Sequence, residues 1–164
     1  FQTEGLVHPR MLPPYIEFVK ALPRAKPLRG AALVAGSLDV LKRQLAKVPS
    51  VNPFGTFKAK FQADADWLLA SDIEVFHAYS FATLRQYGAC YELASTYLAW
   101  LGENSVDGAQ DAANDFDHIA KATKTLQFQL ARSMMRKRPL DLASLDDMGV
   151  RWERSLDQLV RRFG

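Results

Sequence analysis

The chain has 164 residues, 21 lysines and arginines against 18 acids, and a formal net charge of +3. Hydrophobic side chains make up 48% and charged ones 24%, ordinary globular usage that argues against disorder, a collagen-like repeat or a disulfide scaffold. Cys90 is the single cysteine, no uncharged apolar run is long enough to cross a bilayer and no signal peptide leads the chain, so a reducing cytoplasm is the expected compartment. Because it opens on Phe1 rather than Met, a fragment of a longer protein is expected.

Residues 1–29 hold five prolines and read as a Pro-rich lead-in carrying one short helix at Pro14–Leu22, which would pack through Tyr15, Phe18 and Val19. From residue 30 to 164 every apolar pattern has helical spacing. Ala31, Val34, Leu38, Leu41, Leu45 and Val48 form the first stripe, stopped by Pro49. Asn52-Pro53 then reads as cap and first helical position of a second helix, with Phe54, Phe57, Phe61, Ala65 and Leu68 inward. Asp72 caps a third, Ile73–Leu101, whose stripe is Ile73, Phe76, Ser80, Leu84, Tyr87, Tyr91, Ala94, Leu98 and Leu101, and Gly102 is its expected stop. Ala109, Ala112, Phe116, Ile119, Thr123, Leu126, Leu130 and Met134 carry a fourth helix to about Lys137, closed by Pro139. Leu145, Met148, Trp152, Leu156, Leu159 and Phe163 carry the last, from Leu142. Short links between such stripes predict an all-α, antiparallel up-and-down bundle of about five helices.

The charge is uneven. Residues 1–60 carry 10 basic and 3 acidic side chains, residues 61–117 carry 1 and 10, and residues 118–164 carry 10 and 5. Neighbouring segments of opposite sign screen one another when packed side by side. A basic chain suits nucleic acid, but no recognition motif and no interleaving of aromatic and basic residues is present, so nucleic acid is disfavoured as a partner.

Glu74-x-x-His77 and Asp115-x-x-His118 have the spacing that places two metal ligands on one helix face. Antiparallel pairing about the turn near residues 103–105 makes facing residue numbers sum to roughly 208, which sets Asp115 opposite Leu93 and leaves His77 roughly 24 Å away at about 1.5 Å per residue. No shared metal is expected, and there is no phosphate loop, dinucleotide fingerprint or other cofactor motif. Cys90 reads as a packed small residue rather than a nucleophile, and no catalytic set is expected in this chain.

On the long third helix Glu74, Ala78, Phe81, Arg85, Ala89, Glu92, Thr96 and Ala99 form a second face, whose small residues suggest close packing. Arg85, the one basic residue between Lys60 and Lys121, is expected in a buried ion network, with Glu92 as one candidate partner. On the fourth helix Lys121, Lys124, Phe128, Arg132 and Arg136 share an arc away from the core, with Met135 beside it. Apolar residues amid charge suggest a partner-binding surface.

Leu12-Pro13-Pro14-Tyr15-Ile16-Glu17-Phe18, Asn52-Pro53-Phe54 and the run Phe76–Gln86 resemble a bacterial family known as domain of unknown function eighteen thirty-nine. Lys124-Thr125-Leu126-Gln127-Phe128, Leu130-Ala131-Arg132 and Lys137-Arg138-Pro139-Leu140 continue the likeness. It spans nearly the whole chain but only the carboxy-terminal half of the family's proteins. The resemblance implies a missing amino-terminal half similar to the cysteine-protease-like acyltransferases of butirosin biosynthesis, which take an acyl or aminoacyl group from a carrier protein. The nucleophile and base would then precede Phe1, and the arc would face an acidic carrier protein. The competing expectation is a purely structural or oligomerising helical domain.

Overall fold

The computed structural model describes residues 26–164, so the helix expected at residues 14–22 lies outside the described residues. The rest forms five rods: α1 (Gly30–Leu45), α2 (Pro53–Ala70), a composite rod of α3 (Ile73–Ser80), a π-helical turn (Phe81–Arg85) and α4 (Gln86–Glu103), then α5 (Gln110–Arg136) and α6 (Ala143–Phe163). Among the described residues there is no strand, and the molecule is the all-α helical bundle that the stripes predict.

The helix starts follow local chemistry. Asn52 Oδ1 accepts the Phe54 N–H at 2.9 Å, and Pro53, which has no N–H to satisfy, takes the first helical position. Asn52 also donates through Nδ2 to Gly149 O and to Glu153, tying the start of α2 to α6. A Cβ on Gly149 would stand 3.1 Å from that Nδ2, so only glycine admits the cap so close. Asp141 caps α6 by accepting the Ala143 N–H.

α5 is the central rod, and each of its eight predicted inward residues from Ala109 to Met134 is buried. α4 packs on one flank at the expected antiparallel register: Ser95 Oγ donates to Ala113 O, and Gly88 lies buried against the Ala120 carbonyl. α6 covers the other flank and also meets α2 and α1. Phe54, Phe61, Phe76, Leu84 and Met148, from three rods, interlock with α5 in one core. Tyr79, held by burial and by donating to Asp64, has its hydroxyl pushed up to about 12. α1 is the least engaged: Leu41 and Leu45 are buried, Ala31 is exposed, and Tyr97 donates to Ser37 O from α4. It ends at Leu45, short of the Val48 expected.

Two further expectations are corrected. Gly102 does not end its helix; the rod runs on to Glu103, and Ser105 at φ 65° makes the left-handed turn, with Val106 N–H bonding Leu101 O. Gly102 is instead a close approach, since a Cβ there would meet Gln110 at 3.1 Å. The long rod is also not one continuous α-helix. Its inward stripe contains two successive spacings of four, Phe76–Ser80–Leu84, which overshoot 3.6 residues per turn. The wide turn at Phe81–Arg85, with Thr83 Oγ1 bonding back to Tyr79 O at 2.7 Å, absorbs that drift and keeps the stripe facing inward.

α5 ends the same way as α4. Lys137 occupies the left-handed position at φ 49°, where glycine is usual, while Arg138 N–H bonds Ser133 O. The lysine is there for its side chain, because Nζ donates to Leu69 O and Ser71 O and closes the carboxyl end of α2. We expect Lys137→Ala to cost about 1 kcal/mol in urea denaturation, since it keeps the strain and loses the tie. Lys137→Gly should cost less, and a larger loss for glycine than for alanine would contradict this account.

Candidate functional site

The five residues of the α5 arc, Lys121, Lys124, Phe128, Arg132 and Arg136, are all exposed. Phe128 is 69% exposed and Met135 64%, so neither belongs to the core. Lys121 pairs with Asp117 on its own helix and Lys124 reaches Glu92 of α4 at 2.9 Å. Both pairs stand in water and are worth well under about 1 kcal/mol, so a partner displaces them at little cost. Among the described residues Arg132 and Arg136 have no acidic partner.

Folding adds two members to the arc. Gln127 Nε2 donates to Ser80 Oγ at 3.4 Å, which sets Phe81 and Phe128 at one level across the antiparallel pair. Phe81 is 55% exposed at the start of the π-helical turn, and the Arg85 guanidinium stands 5.3 Å from its ring centroid. The buried network expected for Arg85 and Glu92 is therefore wrong: both are exposed, Arg85 lies over Phe81 and Glu92 pairs with Lys124. The second face of the long rod, from Glu74 to Thr96, is solvent-facing rather than close-packed, and the close packing belongs to Gly88. The result is a seam of aromatic and basic side chains along the outer edge between the π-helical turn and α5.

The buried ion network lies elsewhere, between α5 and α6. Asp115, 6% exposed, accepts from Arg154 Nε at 3.0 Å, from Arg151 Nη1 at 3.1 Å and from Ser155 Oγ at 2.9 Å. Burial pushes its carboxyl up, but the bonds from Arg154, Ser155 and Arg151 outweigh that and hold it below the usual carboxylate range. Arg151 also bonds Asp147, which meets the His118 ring at 2.9 Å. Arg151 above all, then burial against it and His118, leaves Asp147 below its ordinary value. Asp115 and His118, the residues with metal-ligand spacing, are thus engaged by α6. Glu74 and His77 are exposed on α3, and among the described residues no group of three His, Cys, Asp or Glu is arranged to hold a metal.

Cys90 is exposed, contrary to the expectation of a packed residue, because it lies off the inward stripe carried by Tyr87 and Tyr91. Among the described residues no helix is long and apolar enough to cross a membrane. The seam was half legible: helical spacing on α5 finds Lys121 to Arg136, whereas Phe81 and Arg85 needed the level set by Ser80 and Gln127.

No curated protein and no solved structure matches the chain. The family profile of the DUF1839 C-terminal domain matches residues 30–161, from the first residue of α1 into the last turn of α6, and the chain belongs to that family.

Proposed function

We propose that this domain is the helical companion of a carrier-protein-dependent acyl or aminoacyl transferase, and that the α5 seam docks an acidic carrier protein. Phe128 carries the reading: a phenylalanine 69% exposed in the middle of a basic arc is an anchor without a partner. Arg85, Lys121, Lys124, Arg132 and Arg136 supply the charge that an acidic surface complements, and Phe81 widens the apolar centre. Catalysis, on this reading, belongs to the amino-terminal half implied by the sequence likeness, and the bundle presents the carrier to it.

Rim charges govern encounter rate and salt sensitivity, while a central aromatic governs how long the complex lasts. In the full-length protein, Lys124→Glu with Arg132→Glu should weaken carrier binding and flatten its dependence on ionic strength. Phe128→Ala should weaken binding by about 2 kcal/mol with an unchanged salt slope. Its melting temperature should stay at the parent value, because truncating an exposed ring opens no cavity. Carrier affinity untouched by the charge reversals would sink the docking reading, and self-association lost in Phe128→Ala would support an oligomerising domain instead.

A further inference from the structure

A second surface stands apart from the seam. The carboxyl half of α2 and the link from α5 to α6 diverge around a cleft of about 630 Å³, within the range of small-molecule sites. Leu69 of α2 and Leu140 of the link give it apolar walls. Most of its charge is already used. Lys58 pairs with Asp146 at 2.6 Å, and Lys137 is bound to the carbonyls at the end of α2. That leaves Asp66 on the helix wall and Arg138 on the link wall, neither of which makes an ion pair or side-chain hydrogen bond among the described residues.

A guanidinium and a carboxylate that are unpaired among the described residues, set with an apolar wall in one cleft, select a ligand of matching form. The guanidinium takes a carboxylate through paired N–H donors, the aspartate takes an ammonium, and the wall takes a hydrocarbon tail. A simple anion would leave Asp66 facing it, and a simple cation would leave Arg138 facing it. The geometry points to a binding site for a small zwitterion with an apolar tail, of which an apolar α-amino acid is the smallest form. Arg138 holds the carboxylate, Asp66 the ammonium, and Leu69 and Leu140 the side chain. The site does not rest on the carrier reading and shares no residue with the seam.

Calorimetric titration with L-leucine, isocaproate and isopentylamine separates the contributions, since the last two lack the ammonium and the carboxylate respectively. Leucine should bind in the millimolar range and raise the melting temperature, with each analogue weaker by roughly tenfold or more. Arg138→Gln should weaken leucine and isocaproate alike. Asp66→Asn should weaken leucine and leave isocaproate unchanged. Both residues are exposed, so the variants should keep the parent's circular dichroism, and Lys124→Glu with Arg132→Glu should leave leucine binding intact. Absence of leucine binding in the millimolar range, isocaproate binding as tightly as leucine, or leucine binding unmoved by both cleft substitutions would each overturn the assignment.

Discussion

Truncating Trp152 to alanine should lower the unfolding free energy by about 3–5 kcal/mol and the melting temperature by about 10 °C. The indole is 8% exposed and sits on the inward stripe of α6 between Met148 and Leu159. It belongs to the core against which Tyr91 packs, beside an aromatic cluster in which the Tyr91 ring lies 5.6 Å from Phe54 and 5.4 Å from Phe116. Alanine therefore removes a large buried surface and opens a cavity that rigid rings cannot fill. Denaturant unfolding checks the free energy and thermal melting checks the midpoint. A variant that melts with the parent would mean α6 does not pack through this face.

Asp115→Ala should cost about 2–3 kcal/mol at neutral pH, chiefly because the partners left behind lose their acceptor. Ser155 is fully buried and has no route to water, whereas Arg151 and Arg154 are partly solvated, which keeps the loss below that of a wholly buried pair. The acid sensitivity has a definite sign. The folded-state pKa of Asp115 is depressed relative to the unfolded chain, so its contribution is present above the ordinary carboxylate value and disappears as pH falls through the folded value. Asp147 and Asp64 are depressed as well and act in the same direction. Stability measured in urea should thus fall steeply below about pH 4, and Asp115→Asn should make that fall shallower. An identical acid limb in parent and variant would mean that the α5–α6 network does not anchor the two helices.

Charge placement separates what spacing can reveal from what it cannot. The α5 arc lies on one helix, where residues three and four apart are neighbours whatever surrounds them, so Lys121, Lys124, Phe128, Arg132 and Arg136 group from the sequence alone. Arg85 was expected to be buried because it stands alone in an acidic stretch. It lies instead within the π-helical turn, at the opposite end from Phe81, and stands over that ring on the outside. Asp115 shows the converse. Its spacing to His118 suggested a ligand pair, yet the partners that engage it, Arg151, Arg154 and Ser155, come from a helix more than thirty residues away.

Legible in the residues alone are the number of helices, the cap at Asn52 and the stop before Pro139, most of the inward residues and the antiparallel register of α4 on α5. These follow from periodicity, from capping chemistry and from short links, all of which act within one or two turns of chain. Packing between the rods settles which polar groups meet. It chose Asp115 rather than Arg85 for the buried network, joined Phe81 to Phe128 along the seam, and opened the cleft between α2 and the α5–α6 link. A helix's apolar stripe sets which side points inward but leaves the flanks open. What a flanking side chain touches depends on the crossing and level of a neighbouring rod, and that is set by the packing of every core residue at once.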